Sequence, residues 1–145
     1  MEDLQDFLQK KKYKKVKFNL LKTQNLLINA TINGVKGKFI LDTGASNSCV
    51  GLEGIDKFQL FSEISDTKAA GAGATGMETQ LSKNNLLQLS HWKTSKFHLV
   101  IFDMQHVNQA LNEYKTKPVD GIIGADILLK GKAIIDYYNH YLYLR

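Results

Sequence analysis

Along much of this chain the apolar residues recur at every second position, the period of a strand with one buried face. Val16, Phe18 and Leu20 alternate with polar residues over 15–21 and predict a half-buried strand. A second strand is expected over 25–32, with Leu27 and Ile32 apolar, and a third over 35–41. Between these two lies Asn33-Gly34, a pair suited to a tight hairpin because both central positions of such a turn take positive φ. Strand-like patterns follow at 64–68, 78–89 and 91–102, with Phe97, Leu99 and Ile101 sharing a face. The chain closes with strands at 132–137 and 141–144 around Asn139-His140, a terminal hairpin. Helical spacing is confined to short stretches: 3–12 with Leu4, Phe7 and Leu8, 52–60, and 104–114 with Val107, Leu111 and Tyr114. The pattern is therefore all-β with a few short helices.

Length allows one domain with a single core: 145 residues are too few for two independent ones. With 43% hydrophobic residues, 23% charged and one proline, the composition is that of an ordinary folded chain. No apolar run approaches the length of a membrane span, and the first residues lack the basic start and apolar centre of a secretory signal, so a cytoplasmic location is expected. Cys49 is the single cysteine and lies in an apolar context, which predicts a buried structural thiol. The net charge of +5 is concentrated at Lys10, Lys11, Lys12, Lys14, Lys15 and Lys17. This cluster has no arginine and only Tyr13 interleaved. It reads as a solvated helix end leading into an edge strand, and no nucleic-acid partner is expected. His91, His98, His106 and His140 show no paired ligand spacing, so no metal and no cofactor are expected.

Candidate chemistry lies in two blocks. In the first, the apolar run Phe39-Ile40-Leu41 delivers Asp42 into the turn Asp42-Thr43-Gly44-Ala45-Ser46. A carboxylate at the end of a buried strand must find a hydrogen-bond donor or be retained for chemistry. Gly44 is expected both to adopt dihedrals closed to other residues and to bring its N–H close to that carboxylate. Alone, the tripeptide Asp-Thr-Gly would be an ordinary surface turn. The second block, Asp120-Gly121-Ile122-Ile123-Gly124-Ala125-Asp126-Ile127-Leu128-Leu129, is another buried strand breaking at a glycine into a short apolar helix.

Together and in this order the two blocks resemble the retropepsin-like aspartic proteases, including their bacterial relatives, over residues 25–145. The resemblance implies a small closed barrel of the acid-protease type. Residues 1–24 would form an N-terminal helix and lysine-rich lead-in strand, and 25–145 the protease domain, all within one globular unit. It implies an aspartic endopeptidase. Only one Asp-Thr-Gly turn is present, so the second catalytic carboxylate would come from Asp42 of another copy in a homodimer.

By the same resemblance, Thr43 would hydrogen-bond across the interface and Gly44 would donate to the carboxylate. Ala45 lacks the hydroxyl that could stabilise the ionised pair, so activity is expected at mildly acidic to near-neutral pH. Ser46 is expected to satisfy local backbone groups. Asp126 would brace the start of the short helix. Ala125 stands where viral members carry an interface arginine, which implies a weaker or differently built dimer. The small-residue stretch 69–77 would be the flap over a bound peptide, with Ala72, Gly73 and Ala74, together with Ala45, as substrate-binding residues. A phosphate-loop reading of that stretch fails because no Gly-Lys-Ser/Thr follows. The alternative is a catalytically silent dimerisation or peptide-binding module on the same fold.

Overall fold

The computed structural model describes residues 2–65 and 79–145. Its short first helix, α1 (Leu4–Lys10), is capped by Asp3, whose side chain accepts the Asp6 N–H at 2.8 Å. The chain then enters β1 (Lys14–Leu20), β2 (Leu26–Ile32) and β3 (Val35–Leu41). The β2–β3 hairpin turns at Asn33 (φ 51°) and Gly34 (φ 84°), the positive dihedrals its sequence predicts. Asn33 does more than turn the chain. Its side chain donates to the Phe58 carbonyl and to Asn85 Oδ1, and accepts the Leu86 N–H, tying the hairpin to a distant strand.

The remaining elements are β4 (Cys49–Val50), α2 (Gly54–Lys57), β5 (Glu63–Ser65), β6 (Thr79–Leu89), β7 (Trp92–Ile101), α3 (Gln105–Glu113), β8 (Gly121–Ile123), α4 (Ala125–Lys130), β9 (Ile134–Asp136) and β10 (Tyr141–Leu144). Strands β6, β7, β4, β8, β3 and β2 neighbour one another in that order, and a β2–β6 pairing closes them into a barrel. The all-β closed barrel expected from the sequence is thus observed. Helix 52–60 is shorter than expected: Gln59 at φ 54° ends it after one turn and lets Phe58 and Leu60 drop into the core. The expected flap tip, with Ala72, Gly73 and Ala74, lies outside the described residues.

One strand threads between two that precede it in sequence. β8 pairs parallel with β3, Ile40 opposite Ile122, and antiparallel with β4 on its other side. That insertion divides the apolar interior. Ile28, Ile32, Phe39, Leu87, Leu99, Ile101 and Ile123, all fully buried, belong to the main core. Ile40, Ala45, Cys49, Val100, Phe102, Leu111 and Ile122 form a second cluster beneath α3. Because β7 ends between the two clusters, both of its faces are buried there, and the alternation read in the sequence gives way to a continuous apolar run.

The lysine-rich strand differs from expectation. β1 lies between β2 and β10 rather than at an edge, its first half pairing with Leu142 and its neighbours and its second half with β2. Val16 and Phe18 are buried while Leu20, at the strand's end, is 48% exposed. Three lysines of the cluster stand over aromatic rings: Lys15 and Lys17 over Tyr141 at 4.8 and 5.3 Å, and Lys11 over Phe7 at 5.3 Å.

Candidate active site

β3 ends by handing its last pairing across to β8: the Asp42 N–H donates to the Ile123 carbonyl at 2.9 Å. The turn then closes, Ala45 N–H donating to the Asp42 carbonyl at 3.2 Å. Within it the Gly44 N–H donates to Asp42 Oδ1 at 2.8 Å. Gly44 does not use the left-handed region; Gly34 alone among the described glycines does. Its value is closeness, since a Cβ there would stand 3.3 Å from Asp42 Oδ1. Asp42 is half-buried, and its Oδ2 has no partner among the described residues. Thr43 and Gly44 face solvent.

Ala45, expected among the substrate contacts, points inward. Its methyl is buried in the second cluster, and its carbonyl accepts the Ala125 N–H at 2.7 Å. Ser46 is exposed and makes no side-chain hydrogen bond among the described residues. The local satisfaction expected of it falls to Ser48, two residues on, which is fully buried. Ser48 Oγ donates to Asp126 Oδ1 at 2.7 Å and accepts the Gly124 N–H at 2.9 Å, while Ser48 N–H donates to Asp126 Oδ2 at 3.0 Å. Asp126 Oδ1 also accepts the Ile127 N–H at 2.9 Å, so the brace read at this position is present and holds the turn's far end as well as α4. Sequence reasoning passed over Ser48. Strand periodicity cannot separate a buried hydrogen-bonding serine from a surface one.

Two glycines make this seam possible. A Cβ on Gly121 would lie 2.0 Å from the Cys49 carbonyl oxygen, and one on Gly124 would lie 2.5 Å from that of Ala45. Any side chain at either place would push β8 away from the turn it supports. Cys49, in the same seam, is buried, and loss of hydration pushes its thiol up to about 12. It is a structural thiol, as its context predicts.

Beside Asp42 opens a cleft of about 390 Å³. Ile40 and Ile122 form its floor, and Thr23 and Asn25, from the turn joining β1 to β2, form one rim. α3 supplies the opposite wall with Val107, Ala110 and Leu111, and adds His106, Glu113 and Tyr114. The His106 ring lies 6.1 Å from Phe102. None of the α3 residues was singled out as a site residue from the sequence. Their apolar spacing reads only as a helix packing on a core.

The closed barrel, threaded by one strand behind an acid-bearing turn, is a retropepsin-like acid-protease fold. It superposes on a retropepsin-like aspartic protease from Rickettsia conorii with TM-score 0.63 and 18% identity, covering 91% of each chain. For the retroviral protease-like domain of Ddi1 from Leishmania major the TM-score is 0.57 at 20% identity, covering 83% of this chain and 87% of that one. For the inhibitor-bound EIAV protease it is 0.58 at 19% identity, covering 79% and 95%. At these identities the likeness is one of fold. The family model for aspartyl proteases matches residues 28–127, more than half of the sequence, and the chain belongs to that family. No curated protein matches it. Among the described residues, no helix is long and apolar enough to cross a membrane.

Proposed function

We propose that the protein is an aspartic endopeptidase active as a homodimer, with one Asp42 carboxylate from each subunit. The observation that carries this reading is the state of Asp42. One oxygen is fixed by the Gly44 N–H, the other is without a partner among the described residues, and the turn that bears it is solvent-facing. A two-fold axis at this turn would bring the residue against its own copy. Two carboxylates at hydrogen-bond distance cannot both ionise cheaply, so they share one proton. The ionised member takes a proton from a water held between them, and that water attacks the scissile carbonyl. The protonated member stabilises the developing oxyanion, and a proton then passes to the leaving nitrogen.

In this reading Thr43, exposed beside the acid, bonds to its counterpart across the axis, and Gly44 orients the carboxylate. Ala45 acts by holding the turn in place from beneath, its methyl buried and its main-chain groups engaged within the chain. Ala72, Gly73 and Ala74 are assigned to substrate binding by the resemblance alone, and the peptide lies extended and bonds through its main chain. The absence of a hydroxyl at position 45 supports activity at mildly acidic to near-neutral pH. A rate profile peaking below about pH 3 contradicts that part.

The test combines native mass with cleavage of a mixed peptide pool by wild type and Asp42→Asn. A dimer that cuts, and a dimeric variant that does not, supports the proposal. A protein that stays monomeric at all concentrations and cuts nothing removes it.

A further inference from the structure

We propose that the α3 cleft is a specificity pocket for a basic side chain, arginine or lysine, of the peptide substrate. This rests on the endopeptidase reading and adds the substrate class to it. The first argument is charge. The chain carries 19 lysines and arginines against 14 acids, yet the described residues lining the cleft include no lysine or arginine, one histidine, His106, and two carboxylates, Asp42 and Glu113. Glu113 is exposed and has no hydrogen-bond or ion-pair partner among the described residues, so its charge is available to a ligand. It is also the last residue of α3, at the negative end of that helix's dipole.

The second argument is shape. Arginine and lysine have apolar stems that bury while the charged head stays at a polar boundary. Here the floor of Ile40 and Ile122 and the wall residue Leu111 are buried and apolar, and Glu113 is exposed. Tyr114, 53% exposed and next to Glu113 in sequence, also lines the cleft and adds an aromatic ring to it. The same chain already pairs lysine with tyrosine at Lys15 and Tyr141. A volume of about 390 Å³ accommodates one long side chain with its adjoining backbone. A neutral apolar residue would use the floor and leave Glu113 unanswered, and an acidic one would meet two like charges.

The probe is a set of labelled alanine–valine peptides identical except for a central arginine, citrulline or glutamate. Citrulline keeps the shape of arginine without its charge. Affinity is measured on full-length Asp42→Asn, which does not turn the peptides over, and on the same protein with Glu113→Gln. Cleavage is measured in parallel on wild type. Arginine is expected to bind about five-fold tighter than citrulline, with the ratio falling towards one on adding Glu113→Gln and in high salt. Glu113→Lys is expected to turn the preference towards glutamate. Equal binding of arginine and citrulline, a preference unmoved by Glu113→Gln, or no binding of any peptide overturns the pocket. Cleavage without arginine preference sinks the pocket and leaves the peptidase. Arginine preference in binding, with no cleavage by wild type, sinks the peptidase and leaves the pocket.

Discussion

Two aspartates at the same end of the barrel are treated in opposite ways. Asp126 is saturated: its oxygens accept from Ser48 N–H, Ser48 Oγ and Ile127 N–H, and the two Ser48 bonds tie α4 to the far end of the acid-bearing turn. Among the described residues the Asp42 carboxylate receives one bond, from the Gly44 N–H two residues away. A carboxylate that accepts three hydrogen bonds is a strut, because any proton or ligand must first displace them. One held by a single donor is positioned yet still able to take part in chemistry. Saturation, more than the identity of the acid, separates scaffold from candidate catalyst here.

Exchanging the two acids one at a time puts that contrast to its severest test. Asp42→Asn keeps the size and the Gly44 contact. It is expected to lower kcat/KM by about 1,000-fold or more on any peptide the wild type cuts, with an unchanged melting temperature. A variant that cuts at wild-type rates would make Asp42 a structural acid like its neighbour. Gly124→Ala attacks the strut region through backbone packing. The new Cβ would be 2.5 Å from the Ala45 oxygen, and a loss of about 3 kcal/mol in denaturant unfolding is expected. An unaltered midpoint would mean that the turn and β8 are not locked together. Asp126→Ala leaves buried Ser48 short of two acceptors and is expected to cost about 2 kcal/mol, read in the same unfolding series.

A third aspartate, at the end of the edge strand β9, calibrates the comparison. Asp136 accepts the Asn139 side-chain N–H at 2.9 Å and its main-chain N–H at 3.1 Å, and these bonds hold its carboxyl below the usual range. Their stabilisation is present above the ordinary carboxylate value, about pH 4, and is lost as the pH falls through the lowered folded-state value. Asn139→Ala should therefore destabilise slightly at neutral pH, and the gap from wild type should narrow in acid. A gap that widened in acid would reverse the sign and refute the assignment.

Much of this architecture was legible because its causes are local. The Asn33-Gly34 turn follows from dihedral preference, and the strands on either side follow from alternation. The acid-bearing turn announced itself because a carboxylate closing an apolar strand calls for a donor, and Gly44 provides one. The reading went astray where a partner was needed to decide. β1 reads as an edge until β10 returns beside it from the far end of the chain. Helix 52–60 reads as continuous until Phe58 and Leu60 find room in the core.

By itself, then, the sequence determined which segments are strands, where the hairpin turns, and which turn holds Asp42. Those features depend on residues within a few positions of each other. Only the tertiary structure decided that β8 would slot between β3 and β4, that Ser48 would meet Asp126 across 78 positions, and that Glu113 would overlook the cleft beside Asp42. The reason is that a periodic pattern specifies which face is apolar but not what covers it. Contacts of long sequence separation are chosen by close packing and by the need to pair every buried polar atom, and these conditions exist only once the barrel has closed.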